Sequence, residues 1–258
     1  MKKILMIALA ILTYAVAAMA ASPVQEADSA YARRDYSAAL NGYRKALETQ
    51  GSSSELYYNL ANTYYRLGNT GQAVLFYERA LKLNAANDDA LANLEFVRDR
   101  IKGLPEDDTT FLGKMHQGVK SALTADAWAW TAFFFFFVLV CGAVAVYLFT
   151  DRVLVRKIGF FSAIILLALF FYVLAVAWQT ANAVDDNSYA VVTSPVTNLR
   201  SEPSSDASGK TVPLPAGSRV EIVDSLTTAK DAKVPLWYEV KINNNSRAWM
   251  PAADAERI

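Results

Sequence analysis

From Ala127 to Thr150 the chain runs for 24 residues without a charged side chain, and from Ile158 to Val184 it does so again for 27. Nothing else in the sequence restricts the fold as much. A bilayer's hydrocarbon core, about 30 Å thick, takes roughly 20 helical residues to cross. One charge at its centre costs about 2.5–3.5 kcal/mol on insertion scales, while each Leu, Ile, Phe or Val returns only about 0.3–0.6. Both runs therefore read as spanning helices, at 127–150 and 158–181; the buried helix of a soluble core is the competing reading. Phe133 to Phe137 are five consecutive phenylalanines and cover every face of a helix. Such a surface suits lipid on all sides rather than one packing face. Trp128 and Trp130 open the first run and Trp178 lies near the end of the second, as amphipathic rings do at one interface.

Charge decides which way the pair faces. Seven residues, Asp151 to Lys157, join the runs, and Arg152, Arg156 and Lys157 are among them. Cations beside a span hold their loop in the cytoplasm. The far ends carry Asp126, Asp185 and Asp186, with Lys120 the cation nearby. The expected topology is a cytoplasmic loop at 151–157 with both flanks outside. The N-terminus argues for the same arrangement from another direction. Lys2 and Lys3 precede an apolar stretch, Ile4 to Val16, and the small-x-small site Ala18-Met19-Ala20. Together these read as a signal peptide over 1–20, cut before Ala21. An uncleaved anchor is the alternative, and a bacterial lipoprotein would need a cysteine just after the cut, where none stands. Either way the chain from Ala21 is exported, so it must cross inward, turn and cross back. The expected location is a bacterial inner membrane, with both soluble parts in the periplasm.

Between Val24 and Lys102 residues recur at a spacing of 34. Ala39 returns as Ala73, Tyr43 as Tyr77, Ala46 as Ala80 and Leu47 as Leu81; Asn59 returns as Asn93, Leu60 as Leu94 and Arg66 as Arg100. A fixed period of this length marks stacked helical pairs. Small Ala61, Ala73 and Ala80 let helices approach closely, and Tyr57, Leu60, Tyr64 and Tyr77 fill the space beside them. Gly68-Asn69 ends one helix, because glycine takes the left-handed cap conformation. Gly51 with Ser52 and Ser53 breaks the helix before, and a serine caps the next. Five helices are expected, at about 24–33, 36–50, 54–67, 70–83 and 88–102. The unit Ser54 to Asn87 resembles a tetratricopeptide repeat through Tyr57-x2-Leu60-Ala61-x2-Tyr64, Ala73-x3-Tyr77 and Ala80. Tyr57, Ala61 and Ala85 stand where Trp, Gly and Pro are commonest in that repeat. The resemblance implies a repeat domain over 22–104, with a groove lined by the first helix of each pair. Tyr58, Asn59, Asn62, Tyr65, Arg66 and Asn93 fall in that groove. Asn amides pair with a peptide backbone and Arg66 with a carboxylate, though Asn is also common at these places in the repeat itself. Solenoids need about three repeats to bury a continuous core. Two pairs and a closing helix are few, so a partner or the membrane surface is expected to complete the array.

Gly103 to Thr110, with Pro105 in it, reads as a linker. After it, Phe111, Met115, Val119 and Ala122-Leu123 share one helical face. This suits a helix lying in the outer interface ahead of the first span, so 105–126 is expected to be linker and interfacial helix. His116 is expected on the solvated side of that helix rather than as a ligand or proton switch. Past Asp186 the apolar period falls from 3.6 to 2. Tyr189 to Val192, Val220-x-Ile222 and Tyr238-x-Val240-x-Ile242 read as strands, and the Asn-rich stretch Ile242 to Arg247 as a hairpin turn. Thr197 to Ser204, Gly217, Leu236 to Val240 and Arg247 to Ile258 resemble a bacterial SH3-like (SH3b) domain, with Ala248 where a glycine is usual. That resemblance implies a small all-β barrel over 187–258, of a kind that often contacts peptidoglycan or peptides. Trp237 and Trp249 read first as core and second as a ligand platform.

The 25 basic and 25 acidic residues of the chain cancel, and residues 22–104 hold ten of each. Nucleic-acid binding therefore has no electrostatic footprint. The one cysteine, Cys141, sits inside an apolar run, and His116 is the one histidine. Neither a disulfide framework nor a zinc site nor a histidine triad can be built from them. With no Gly-rich phosphate loop and no GxSxG motif either, no catalytic residue, metal or cofactor is expected. The fold class is a multi-domain membrane protein: an all-α tetratricopeptide array, a two-helix transmembrane hairpin and an all-β SH3-like barrel. In this order the parts resemble the BatE family of the Bacteroides aerotolerance (Bat) group across nearly the whole mature chain. The "NLEFVRDRI" helix and the paired spans carry much of that resemblance. It implies partners among other Bat proteins, including von Willebrand factor A membrane proteins, and a MoxR-type AAA ATPase. It also implies a role in tolerance of oxygen or envelope stress, by assembly rather than catalysis. The expected function is an inner-membrane-anchored scaffold. The alternative is an envelope sensor whose SH3-like domain binds peptidoglycan or a cell-wall peptide.

Overall fold

The computed structural model describes residues 22–105, 111–183, 186–204, 211–227, 236–243 and 246–258. The signal segment expected at 1–20, its cleavage point, most of the linker at 103–110 and the centre of the Asn-rich turn lie outside them. Five helices come first: α1 (Pro23–Ala32), α2 (Tyr36–Gln50), α3 (Ser54–Arg66), α4 (Thr70–Leu83) and α5 (Asp88–Arg98). Each starts at a residue whose side chain accepts a backbone N–H of the first turn. Ser22, Asp35, Ser53, Asn69 and Asn87 do this in chain order, which satisfies donors that the helix itself leaves unpaired. Gly68 follows α3 at φ 79, the left-handed conformation that turns the chain back toward α4. α5 stops short of the expected end at 102, because the chain tightens at Asp99 to Ile101 and turns at Gly103.

The periodic alanines sit where the helices cross. Ala39, Ala46, Ala61, Ala73, Ala80 and Ala90 are completely buried, and Leu60, Val74, Leu75 and Tyr77 fill the space between them. The described array is thus two helical pairs, α1–α2 and α3–α4, with α5 stacked on α4.

Two long apolar helices follow, α7 (Ala125–Phe149) and α8 (Val153–Asn182), after the short α6 (Phe111–Ser121). At about 1.5 Å per residue they are about 37 and 45 Å long, long and apolar enough to cross a membrane. They pack as a hairpin, with Trp128 and Ala132 against Val173, Val176 and Ala177. The stretch expected as a loop is instead the turn Thr150–Arg152 and the first turns of α8. Arg156 and Lys157 therefore ride on the helix, where Arg156 Nε donates to the Thr150 carbonyl (2.8 Å). Val119 of α6 packs toward the hairpin, while Leu112 and Met115 stay exposed. His116 is not solvated alone: its ring nitrogens lie 3.4 Å from Tyr172 Oη and 3.2 Å from Gln179 Oε1 of α8.

The C-terminal module is β-rich and antiparallel. One five-stranded sheet runs β6-β5-β4-β1-β7, from β1 (Tyr189–Val192), β4 (Arg219–Leu226), β5 (Trp237–Asn243), β6 (Ser246–Pro251) and β7 (Ala255–Arg257). β2 (Val196–Leu199) and β3 (Val212–Pro215) form a separate ribbon. The register pairs Tyr238 with Met250 and Val240 with Ala248, and these side chains fill the core with Val192, Leu199, Leu214 and Val220. Trp237 and Trp249 alternate with them, so both lie on the opposite face of the sheet, half-buried. The first expectation, that they are core, gives way to strand alternation.

This β module docks on the array. A Cβ added to Gly71 of α4 would meet the Val192 carbonyl oxygen at 3.0 Å and Ala216 Cβ at 3.1 Å. A Cβ on Gly217 would stand 2.6 Å from Ile101 Cδ1 and 3.2 Å from Val74 Cγ2. Glu78 of α4, 7% exposed, is ion-paired with Arg98 of α5 (3.3 Å) and with Arg219 of β4 (3.6 Å). Arg79 donates to the Arg257 carbonyl (2.6 Å) and Lys82 to that of Ile258 (2.7 Å), so cations of α4 satisfy acceptors along an edge strand. Val191 of β1 belongs to the same buried cluster as the array helices.

Candidate protein-interaction groove

The groove is built from the first helix of each pair, because the second helix is taken up by packing. On α3, Tyr58, Asn59, Asn62 and Tyr65 are half-buried and Arg66 is exposed; on α5, Asn93 is half-buried. Three of the six groove residues named from the sequence meet directly. Asn93 Nδ2 donates to Asn62 Oδ1 (3.0 Å), with Tyr58 Oη at 3.4 Å. Tyr77 Oη, from α4, donates to the same Asn62 oxygen at 2.5 Å. A partly buried amide oxygen accepting from two donors is well satisfied, so Asn62 is held in one orientation. Asn59 takes part through its carbonyl, which accepts from the buried Thr63 hydroxyl (2.7 Å). Tyr65 stacks edge-on against Phe96 of α5, ring centroids 5.9 Å apart.

Arg66 stands at the other end of the cluster. The Tyr31 hydroxyl beside it, with the Tyr36 and Tyr65 phenols, raises the guanidinium's pKa above the ordinary arginine value. Tyr31 and Tyr36 themselves stack edge to face at 5.3 Å. Tyr77, Tyr31 and Tyr36 are not among the groove residues that the sequence singles out. For Tyr77 a signal exists in the repeat. Tyr43 donates to Asp28 Oδ1 (2.6 Å) as Tyr77 donates to Asn62, and donor and acceptor are both displaced by one repeat period. Burial raises the pKa of each of these two phenols above the ordinary tyrosine value, with the Asp28 carboxylate adding to the effect at Tyr43.

The groove thus presents phenol rings, amides and one exposed guanidinium. Such a surface offers flat apolar contact and hydrogen bonds to a polypeptide at low side-chain entropy cost. Among the described residues no cluster of His, Cys, Asp or Glu is arranged to hold a metal ion. The second site named from the sequence also takes shape. Trp237 and Trp249 share the outer face of β5–β6 with Glu239 and Arg247, and the Arg200 guanidinium lies 5.4 Å from the Trp237 ring centre.

The tetratricopeptide repeat family pattern matches residues 54–87, which are α3, α4 and the turn that leads to α5. No curated protein matches the chain.

Proposed function

We propose that this chain is a membrane-anchored scaffold that grips a partner protein in the groove between α3 and α5 and acts by assembly rather than catalysis. The repeat match over 54–87 supports a protein–protein interaction role. The observation that carries the reading is the Tyr77–Asn62–Asn93 network, which fixes two amides and the Tyr58 phenol on an accessible helical face. In the proposed topology α7 and α8 cross a bacterial inner membrane and the array and β module are both periplasmic. Two features support it: the cations Arg152, Arg156 and Lys157 at the closed end of the hairpin, and the contact between segments that precede α7 and follow α8. The β-rich module reads as SH3-like. The partners proposed are other Bat proteins, von Willebrand factor A membrane proteins among them, with a MoxR-type AAA ATPase, and the setting is oxygen or envelope stress.

The test is photocrosslinking in native membranes from a probe amino acid at Tyr65. An adduct with a von Willebrand factor A membrane protein, abolished by Asn62→Ala with Asn93→Ala, is expected. Adducts indifferent to both substitutions would refute the groove.

A second reading is favoured by one observation, the outward placement of Trp237 and Trp249. Here the β module binds cell-wall glycan or peptide as a sensor. Sedimentation of the full chain with purified peptidoglycan, lost on Trp249→Ala, would support this reading over the scaffold.

A further inference from the structure

The third repeat of the array is half present. α5 is its first helix, displaced by one repeat period from α3, with Asn93, Leu94 and Arg100 answering Asn59, Leu60 and Arg66. The matching second helix would start one period after Thr70, at Leu104; the described residues Leu104 and Pro105 are not helical, and the next described helix, α6, packs toward the hairpin instead. In a stacked array that missing helix would lie against α5 and against α4, the second helix before it.

We infer that the β module takes the place of this helix and serves as the array's cap, so that α5 keeps its position only while the module is docked. Its contacts fall on α4 and on Ile101, just past the end of α5. Gly217 meets Val74 of α4 and Ile101 just past α5. Arg219 reaches Glu78 from the module while Arg98 reaches it from α5, and one nearly buried carboxylate holds all three elements. Val191 enters the array's own core. Gly71 shows that the fit is close, because a methyl group there would crowd the Val192 and Thr193 backbone at 3.0–3.1 Å. A terminal repeat without a covering element leaves an apolar helix face in water. The docked face includes β1 and β7, whereas Trp237 and Trp249 lie on β5–β6. Capping therefore uses a different surface from any ligand platform.

Capping holds whatever the groove binds, and its test reads no partner. Hydrogen exchange of the full chain in detergent is compared for the unmodified protein, Gly71→Leu and Arg219→Glu. Gly71→Leu is the discriminating variant. Leucine favours helix over glycine, so an independent array would exchange at the same rate or more slowly. A capped array meets a wedge between α4 and Val192. The expected result is at least tenfold faster exchange of α5 amides in both variants, with or without loss of protection in β5–β6. Arg219→Glu acts from the module side by placing a second carboxylate beside Glu78. Unchanged or slower α5 exchange in both variants would overturn the inference and leave the groove reading intact.

Discussion

At the residue scale the period of the array does more than place alanines. It repeats a hydrogen bond, Tyr43 to Asp28 and then Tyr77 to Asn62. The next acceptor position in that series is Phe96, which belongs to the half repeat and has no tyrosine from a second helix to receive. Arg100 stacks over its ring instead, 3.4 Å from the centroid. Tyr77→Phe removes one donor from Asn62 while Asn93 still supplies another. The expected cost is about 0.5–1.5 kcal/mol, the net worth of a neutral hydrogen bond, read as a lower denaturation midpoint. The two phenols also set a pH dependence. Both have pKa values raised in the folded state, mainly by burial. They stay neutral in the folded chain where an unfolded chain would ionise them, so their stabilising effect is full below about pH 10, the ordinary tyrosine value. It is lost progressively as pH rises beyond that. Helical circular dichroism should fall above about pH 10, and Tyr43→Phe with Tyr77→Phe should flatten that fall. An unaltered slope would show that other groups drive it.

At the element scale the array and strands are legible in the sequence, and the reasons are physical. Helix starts carry Ser, Asp or Asn because those side chains cap, and each of the five caps can be read from the sequence. Strand alternation is equally visible in Tyr238-x-Val240, but which face of the alternation is core is not. Trp237 and Trp249 put large aromatic rings on the face that also carries Glu239 and Lys241, and Leu199 and Leu214 of the β2–β3 ribbon join the core with Tyr238 and Val240. The surroundings of His116 are hidden for a similar reason: its partners Tyr172 and Gln179 lie 56 and 63 residues away, where no periodicity links them. Asp254 is a further case. Its side chain accepts from the Ser194 hydroxyl (2.8 Å) and the fully buried Thr197 hydroxyl (2.6 Å), and its carbonyl accepts from the Thr193 amide (2.9 Å). One acidic residue near the end of the chain thereby fastens the turn into β2. Asp254→Ala leaves the Thr197 hydroxyl buried without its acceptor, which costs about 1–3 kcal/mol. Faster amide exchange in β2 and β3, with β5–β6 less affected, is the expected signature; a uniform change across the module would argue against a local role.

At the scale of the whole molecule, two distant parts of the chain are held together, and the two apolar helices lie between them in sequence. The docking is not legible because its determinants are absences. Gly71 looks in sequence like an ordinary residue of the first helical turn, yet a side chain there would crowd the Val192 and Thr193 backbone, so its absence lets the module sit close against α4. The docking also constrains topology. Segments on opposite sides of a membrane cannot share the Glu78 ion pairs, so an even number of crossings between them is required, and in the proposed topology α7 with α8 supply two. The proposed side rests on charge, since Arg152, Arg156 and Lys157 gather at the turn between the helices and cations resist export. Native Cys141 lies within the apolar α7, so a new cysteine at exposed Ser52 or Glu202 gives a separate signal to score against it. In intact spheroplasts a membrane-impermeant maleimide is expected to label both new sites. A cysteine replacing Asp151, which is exposed at the turn, should react only after lysis. If Ser52→Cys and Glu202→Cys partition differently from each other, the docked arrangement cannot exist in the cell. If both react only after lysis, the array and module stay together but face the cytoplasm, and the charge argument alone is wrong.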